Sequence, residues 1–430
     1  MPKKSYFLTT LGCPKNQVDS DKIGMKLEKD GYNQVKSPKN ADLLVVNTCA
    51  FIDAAKEESI NTILDLYDSK SNSAMLSVTG CLAERYGDEL KTLIPEIDIV
   101  AGFNFNVDGS ESGDGVSGDK VAVEIRKKNR RIPDFDLLNL PRPPIYASYA
   151  YVKVAEGCDR KCGFCAIPSF RGKQRSRTVR SILDEVEALD VQEVVLVAQD
   201  LASYGSDIGL KDGLITLIKE VKKRVSWVRL LYLYPSSLNE RLVDEIVDTG
   251  VPYFDLSLQH ASRNVLKAMK RYGSHELFIK KIEMIREKAQ NASMRSSFMV
   301  GYPGESEDDF DTLVDFLKHA QLDFAGFFMF SSEDGTYASQ LENCLDEDIV
   351  KERFREVSQI QDEITAKKRG DLIGKTLEVL IDSKGKSRST FEAPEIDGIV
   401  KIPTNIGRQG EFAKVKIVDS IGPDLIGEAV

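Results

Sequence analysis

Long apolar runs are missing from this chain, and none approaches the roughly 18 residues that a membrane-spanning helix needs. The opening MPKKSYFLTTLGC has a short apolar stretch but no small-residue cleavage site behind it, so it reads as a first β-strand and not as a leader. The expected location is the cytoplasm, with no membrane partner. Excess positive charge is missing too. Lys plus Arg number 58 against 68 Asp plus Glu, a net charge of −10, so the whole chain attracts polyanions poorly and suits a basic partner better. Paired cysteines are the third absence. Seven cysteines are an odd number in a chain without an export signal, which argues against a disulfide framework and for metal or redox chemistry. With 42% hydrophobic and 29% charged residues over 430 positions, global disorder, collagen and coiled coil are excluded. Two to four domains are expected, at roughly 100–200 residues each.

What is present is an alternation of strand and helix patterns. SYFLTTLG (5–12), ADLLVVNT (41–48), AMLSVTG (74–80) and IDIVAG (97–102) read as buried strands, with amphipathic helical stretches near 15–30, 53–69 and 82–92. That is the pattern of a parallel α/β sheet. A Gly/Ser/Asp-rich loop is expected at 108–120, and four prolines within 130–144 mark a linker. The alternation restarts with YVKVAEG (151–157), VVLVA (194–198), VRLLYLY (228–234), YFDLSL (253–258), RSSFMV (295–300) and FAGFFMF (324–330). Six β/α units are too few for a closed eight-fold barrel, so an open partial barrel is expected, with ligands at the carboxyl ends of its strands. A helix over 346–369 precedes a β-rich tail from 374 with Gly and Pro turns, the composition of a small β-barrel. The expected domains are 1–130, a linker over 131–144, 145–370 and 371–430.

Cys158, Cys162 and Cys165 stand in AEGCDRKCGFC, a C-x3-C-x2-C spacing directly after the first barrel strand. Three thiolates on one short loop can hold three irons of a cubane and leave the fourth iron open, and an open position is where a substrate or cofactor binds. Zinc is the alternative, but a structural zinc site wants four ligands, and His260, His275 and His319 are all far along the chain. The motif resembles the signature of radical S-adenosylmethionine (SAM) enzymes. Cys13, Cys49 and Cys81 follow TTLG, VVNT and SVTG, each just past the carboxyl end of a strand. In a parallel sheet those ends share one edge, where doubly wound folds place ligands. A second three-thiolate cluster is therefore expected, against the alternative that each is a buried small hydrophobe. Cys344 lies outside both sets.

LGCPKNQVDS, VVNTCAFIDAAKEES, TGCLAERY, EGCDRKCGFCAIPSFRG and VGYPGESEDDF, in this order over nearly the whole chain, resemble the methylthiotransferases, a family of radical SAM enzymes. The resemblance implies an α/β multidomain protein: a flavodoxin-like N-terminal domain, an open partial TIM-like (β/α)6 radical SAM barrel and a C-terminal TRAM (OB-like) β-barrel. It implies two 4Fe-4S clusters, SAM, and an external electron donor. The family acts on adenosine in tRNA or on an aspartate of ribosomal protein S-twelve. CAIPSFRG, LYLYPSSL, SLQHAS, MRSSFMVGYPGE and EAPEIDG are similar to the ribosomal-protein branch, where the tRNA branch would show VPYTRG-, SHP- and QSGS-like segments at the first three. Residues 371–430 hold eight Lys or Arg and ten Asp or Glu, a balance that suits a basic protein better than RNA. The partner implied is S-twelve, with tRNA as the alternative substrate.

By that resemblance, SAM on the Cys158, Cys162, Cys165 cluster is cleaved reductively, a 5′-deoxyadenosyl radical takes hydrogen from the aspartate β-carbon, and the other cluster donates methylated sulfur. Acid–base chemistry cannot activate such a carbon, so the cofactor carries the hard step. Barrel geometry nominates Gln199 and Asp200 at the second strand end, Ser257 and Gln259 at the fourth, and Arg295, Gly301 and Glu305 on and after the fifth as SAM contacts. For Arg295 a barrel salt bridge, for Gln259 a satisfied interior amide, and for VGYPGE a plain turn remain open. Tyr232 and Tyr234 read as ordinary barrel positions. RGKQRSR (171–177) reads by default as solvated charge beside the cysteine loop. A non-enzymatic iron-sulfur sensor would need a full set of protein ligands at each cluster.

Overall fold

The computed structural model describes residues 4–103, 138–140, 142 and 144–430. The stretch at 108–120 and most of the proline linker lie outside the described residues. Contacts divide the chain into one unit of Met1–Pro143, Glu156–Asp159 and Ala166–Gln174, and a second of Pro144–Ala155, Arg160–Cys165 and Arg175–Val430.

In the first unit, five parallel strands stand in the order Asn33–Gln34, Ser5–Thr10, Leu43–Thr48, Met75–Gly80, Ile99–Val100. Numbered along the chain this is 2-1-3-4-5, the flavodoxin-like order, whose ligand crevice opens where the order reverses, between the first and third strands. Leu43–Thr48 is buried at every residue, as a central strand covered on both faces must be. Pro14–Lys29, Asp53–Ser69 and Cys81–Leu93 are the helices. Pro14 opens the first of them, where a missing N–H costs nothing. The edge strand Asn33–Gln34 was not expected. Its two residues are exposed and too few to carry a period.

In the second unit, the six barrel strands are Tyr149–Lys153, Glu193–Val197, Trp227–Leu230, Tyr253–Gln259, Ser293–Val300 and Phe324–Met329, in the predicted order, although the first ends at Lys153 and the third at Leu230, short of the expected 157 and 234. They form two parallel sheets of three, first to third and fourth to sixth, joined by a parallel bridge between Leu233 and Leu256. Val152, Leu196, Leu230, Leu256 and Phe298 belong to one continuous core under the helices. The helix Glu347–Gly370 leads to a closed five-stranded barrel of Thr376–Ser383, Lys386–Arg388, Val400–Lys401, Phe412–Ile421 and Asp424–Ala429, with its own core of Val379, Ile381, Val415 and Ile417.

Buried charges tie this small barrel to the amino ends of the larger-barrel strands. Glu193 accepts from Arg229 at 2.7 Å and from Arg388 at 2.6 Å. Asp397 accepts from Tyr253 Oη at 2.6 Å and from Arg295 at 2.6 Å. Removing one member of such a buried set leaves the others uncompensated, at a cost of about 3–5 kcal/mol. At the carboxyl ends, by contrast, Asp200 Oδ1 and Gln259 Oε1 are buried without a partner among the described residues.

Candidate active site

The first unit builds a thiol pocket at its sheet edge. Cys13 precedes the helix Pro14–Lys29, Cys49 follows Leu43–Thr48, and Cys81 is the first residue of Cys81–Leu93. Side chains lock these turns to one another. Asn16 Nδ2 donates to the carbonyls of Leu11 at 2.8 Å and Thr48 at 3.1 Å, and Asn47 Nδ2 donates to Asn16 O at 2.8 Å. Thr48 Oγ1 donates to Thr79 O at 2.5 Å and accepts from Leu82 N at 3.3 Å. Ser59 Oγ accepts the Cys49 N–H at 3.1 Å. Gly12, at φ +88°, passes so close that a Cβ there would lie 2.9 Å from Cys49 Sγ.

Cys49 and Cys81 feel the charge of neighbouring thiols. Burial, then the charges of Cys81 and Cys13, pushes Cys49 up to about 12. Burial also raises Cys81, although Arg171 pulls the other way. At Cys13 burial is outweighed by the charges of Lys15 and Arg171 and by the N–H groups of Asn16 and Lys15, so this thiol sits below its ordinary value. Burial therefore favours the neutral thiol at Cys49 and Cys81, and a cation beside them would favour their thiolates. Among the described residues no three His, Cys, Asp or Glu side chains converge as tightly as the ligands of a single metal ion. A cubane puts each thiolate on a separate iron, so its ligands form a wider triangle.

Arg171 is the residue that sequence reasoning misjudged. Expected to be solvated, it is only 3% exposed. Its Nη2 donates to Cys81 Sγ at 3.1 Å and to Asn16 Oδ1 at 3.1 Å, its Nη1 donates to Glu156 Oε1 at 2.7 Å, and its plane lies 4.3 Å from the Phe103 ring centroid. Burial disfavours the charge, but Cys81, Glu156 and Asp19 more than offset that and hold it protonated. In the same unit, the Cys158 N–H donates to Gly172 O at 3.1 Å.

In the second unit, Cys162 and Cys165 close a tight turn, Cys165 N to Cys162 O at 3.2 Å. They pack on an apolar cluster of Phe164, Val265, Met269, Met299, Tyr302 and Ala338. Arg271, also missed from sequence, donates from Nη1 to Cys162 Sγ at 3.1 Å and from Nη2 to the Ser257 carbonyl. Arg160 and Arg271 lie against the Tyr234 ring, at 3.9 and 4.5 Å from its centroid. Tyr234, read as an ordinary barrel position, is therefore a platform for two guanidinium groups.

The nominated SAM contacts divide into two groups. Asp200 is held by Arg160 at 2.6 Å and Ser203 at 2.7 Å through Oδ2, while its buried Oδ1 has no partner among the described residues. Gln259 Oε1 is likewise buried without a partner, on a residue at φ +75°. Both end strands at the carboxyl side, with Gln199 and Ser257 beside them. Such buried acceptors fit a ligand rich in donors, as SAM is through its amino group and ribose.

Arg295 and Glu305 are engaged elsewhere, contrary to the expectation of SAM contacts. Arg295 is third from the amino end of Ser293–Val300, away from the ligand side, and its guanidinium is paired with Asp397. This is the salt bridge left open above. Glu305 is buried, pairs with Arg353 at 2.6 Å, has His260 Nε2 at 3.5 Å and accepts the Gly301 N–H at 3.0 Å. Gly301, at φ +76°, leaves room for Val350, which a Cβ would meet at 2.6 Å. Both therefore brace the turn against the helix Glu347–Gly370.

Three family models match successive stretches: Uncharacterized protein family UPF0004 over 5–102, the Radical SAM superfamily over 152–317 and the TRAM domain over 373–430. A protein of Clostridium perfringens named ribosomal protein uS12 methylthiotransferase RimO is 39% identical over 441 residues, covering 99% of this chain and 98% of its own. Proteins of the same name from Aquifex aeolicus, at 39% identity over 98% of this chain and 96% of theirs, and Streptomyces coelicolor, at 37% over 100% and 97%, match as fully. Among solved structures, the radical S-adenosylmethionine methyltransferase TsrM from Kitasatospora setae aligns at 15% identity and a TM-score of 0.46, covering 76% of this chain and 75% of that one.

Proposed function

Since this chain belongs to the RimO family of ribosomal protein uS12 methylthiotransferases, we propose that it inserts a methylthio group at the β-carbon of an aspartate of uS12, using SAM and two 4Fe-4S clusters. Cys158, Cys162 and Cys165 would hold the cluster that binds SAM, and Cys13, Cys49 and Cys81 the second. The observation that supports the two-cluster reading is that Cys13, Cys49 and Cys81, far apart in sequence, follow three neighbouring parallel strands at one sheet edge, where Cys49 feels the charges of Cys81 and Cys13, and Cys81 that of Cys13. When bound, these groups supply one-electron cleavage of SAM, hydrogen abstraction from carbon, and sulfur.

The chain's own residues do the positioning. Arg271 ties the Cys162 thiol to the carboxyl end of the fourth strand through the Ser257 carbonyl. Phe164, Met269 and Tyr302 keep water from that side of the thiol pair. Gln199, Asp200, Ser257 and Gln259 are the proposed contacts to SAM, with the open acceptors of Asp200 and Gln259 taking its donors. No helix among the described residues is long and apolar enough to cross a membrane, and the proposed location is the cytoplasm, where the ribosome and an external electron donor are at hand. The acidic balance of 371–430 supports a basic protein substrate over tRNA.

The test is anaerobic turnover of the reconstituted protein with SAM, sulfide and reductant, offered uS12 and bulk tRNA together and read by mass spectrometry. A methylthio increment on one aspartate of uS12 with unmodified tRNA is the expected result. An increment on adenosine instead would overturn the substrate assignment.

A further inference from the structure

Arg171 stands six residues beyond Cys165 in the chain, yet its side chain donates to Cys81 of the second thiol set, within the first unit. Its placement is over-determined. Glu156 takes one arm at 2.7 Å, Asn16 and Cys81 share the other at 3.1 Å each, Asp19 Oδ2 is 3.7 Å from Nη1, and Phe103 covers the plane. Asn16 in turn is fixed by the carbonyls of Leu11 and Thr48. The guanidinium therefore cannot turn away from the thiol without breaking several buried bonds.

A cation that donates to a cluster thiolate favours whichever redox state is more negative, so it raises the reduction potential; net charge and hydrogen bonds to sulfur are the protein's main controls over that quantity. The effect grows where water is excluded, because the local dielectric is low. Arg171 is 3% exposed, whereas Arg271, the donor to Cys162, is only partly buried. Glu156 and Asp19 oppose the cation electrostatically, but they also hold it charged and in place.

We propose that Arg171 is a positioning residue for the second cluster: its guanidinium donates to the Cys81 thiolate and raises that cluster's reduction potential. The inference rests on the reading that Cys13, Cys49 and Cys81 hold a cluster. It gives the otherwise unexplained basic residue of CAIPSFRG a role distinct from binding SAM or substrate.

The experiment uses the full chain with Cys158, Cys162 and Cys165 changed to Ala, so that any iron-sulfur signal comes from the other set. In that background, Arg171, Arg171→Lys and Arg171→Met are reconstituted anaerobically, assayed for iron and titrated redox-potentiometrically by electron paramagnetic resonance. About four irons per chain are expected with Arg171 intact. In Arg171→Met the reduced-to-oxidised ratio at a fixed potential should fall about tenfold, a shift of about 59 mV for one electron. Arg171→Lys, which keeps the charge but not the fork, should fall between. Iron retained with an unmoved potential in both variants would overturn the proposal and leave the cluster reading intact. Iron lost from both variants would make Arg171 a strut, which also overturns it. Absence of iron with Arg171 intact would instead overturn the cluster reading itself, and the proposal with it.

Discussion

Cys158, Cys162 and Cys165 fit into eight consecutive residues, whereas Cys13, Cys49 and Cys81 span 69 and meet only because three parallel strands end at one edge. In the first set Cys162 and Cys165 are held by a local turn, whereas the second set is held by sheet topology and by side-chain bonds such as Asn16 to Thr48 and Thr48 to Thr79. Both place one arginine nitrogen 3.1 Å from one thiol, Arg271 on Cys162 and Arg171 on Cys81. A short motif can travel intact between folds; a triad assembled from three strand ends exists only in this strand order. Damage to the first unit's packing should therefore reach the second set long before the turn of Cys162 and Cys165.

The sharpest division between the sets comes from removing each in turn. Changing Cys158, Cys162 and Cys165 to Ala should abolish reductive cleavage of SAM, measured as 5′-deoxyadenosine released anaerobically; cleavage at the original rate would break the assignment. Changing Cys13, Cys49 and Cys81 to Ala should spare that release and stop methylthio transfer to uS12, so equal loss of both would mean that the sets are not separable. A smaller effect is expected from Arg271→Met. Residues that hydrogen-bond to metal ligands typically contribute about 10–100-fold to affinity or activity, and 5′-deoxyadenosine release should fall within that range while the circular dichroism spectrum is unchanged. A wild-type rate would make the Arg271 contact with Cys162 incidental.

How far the sequence was legible follows the same division. Leu43–Thr48 and the six barrel strands were readable because buried parallel strands are near-continuous apolar runs, and the shared strand-end position of Cys13, Cys49 and Cys81 followed from them. Very short strands such as Asn33–Gln34 and Lys386–Arg388 had no pattern to read. Charged residues were misread for one reason: an ion pair is invisible until both partners are placed. Arg295 finds Asp397 at a separation of 102 residues, Glu305 finds Arg353 at 48, and Arg171 finds Cys81 at 90. From sequence alone, Arg295 and Glu305 looked open for a ligand and Arg171 looked solvated. Among the nominated SAM contacts, the acceptors at Asp200 and Gln259 keep both a strand-end position and an atom unpartnered among the described residues.

The smallest effect expected is also the most selective between the two sets. Gly12 holds φ at +88°, a conformation that costs a side-chain-bearing residue about 1–2 kcal/mol, and a Cβ there would lie 2.8 Å from Cys49 Cβ and 2.9 Å from Cys49 Sγ. Gly12→Ala should lower the stability of the chain by that modest amount and push the Cys49 thiol from its place. The groups a Cβ at Gly12 would meet are Cys49 and Asn16, so SAM cleavage should persist while the ratio of methylthio product to 5′-deoxyadenosine falls. Thermal unfolding gives the first quantity and mass spectrometry the second. An unchanged product ratio would mean that the second set tolerates displacement of a thiol, and that its topology-built geometry is looser than the bonds around Asn16, Thr48 and Ser59 imply.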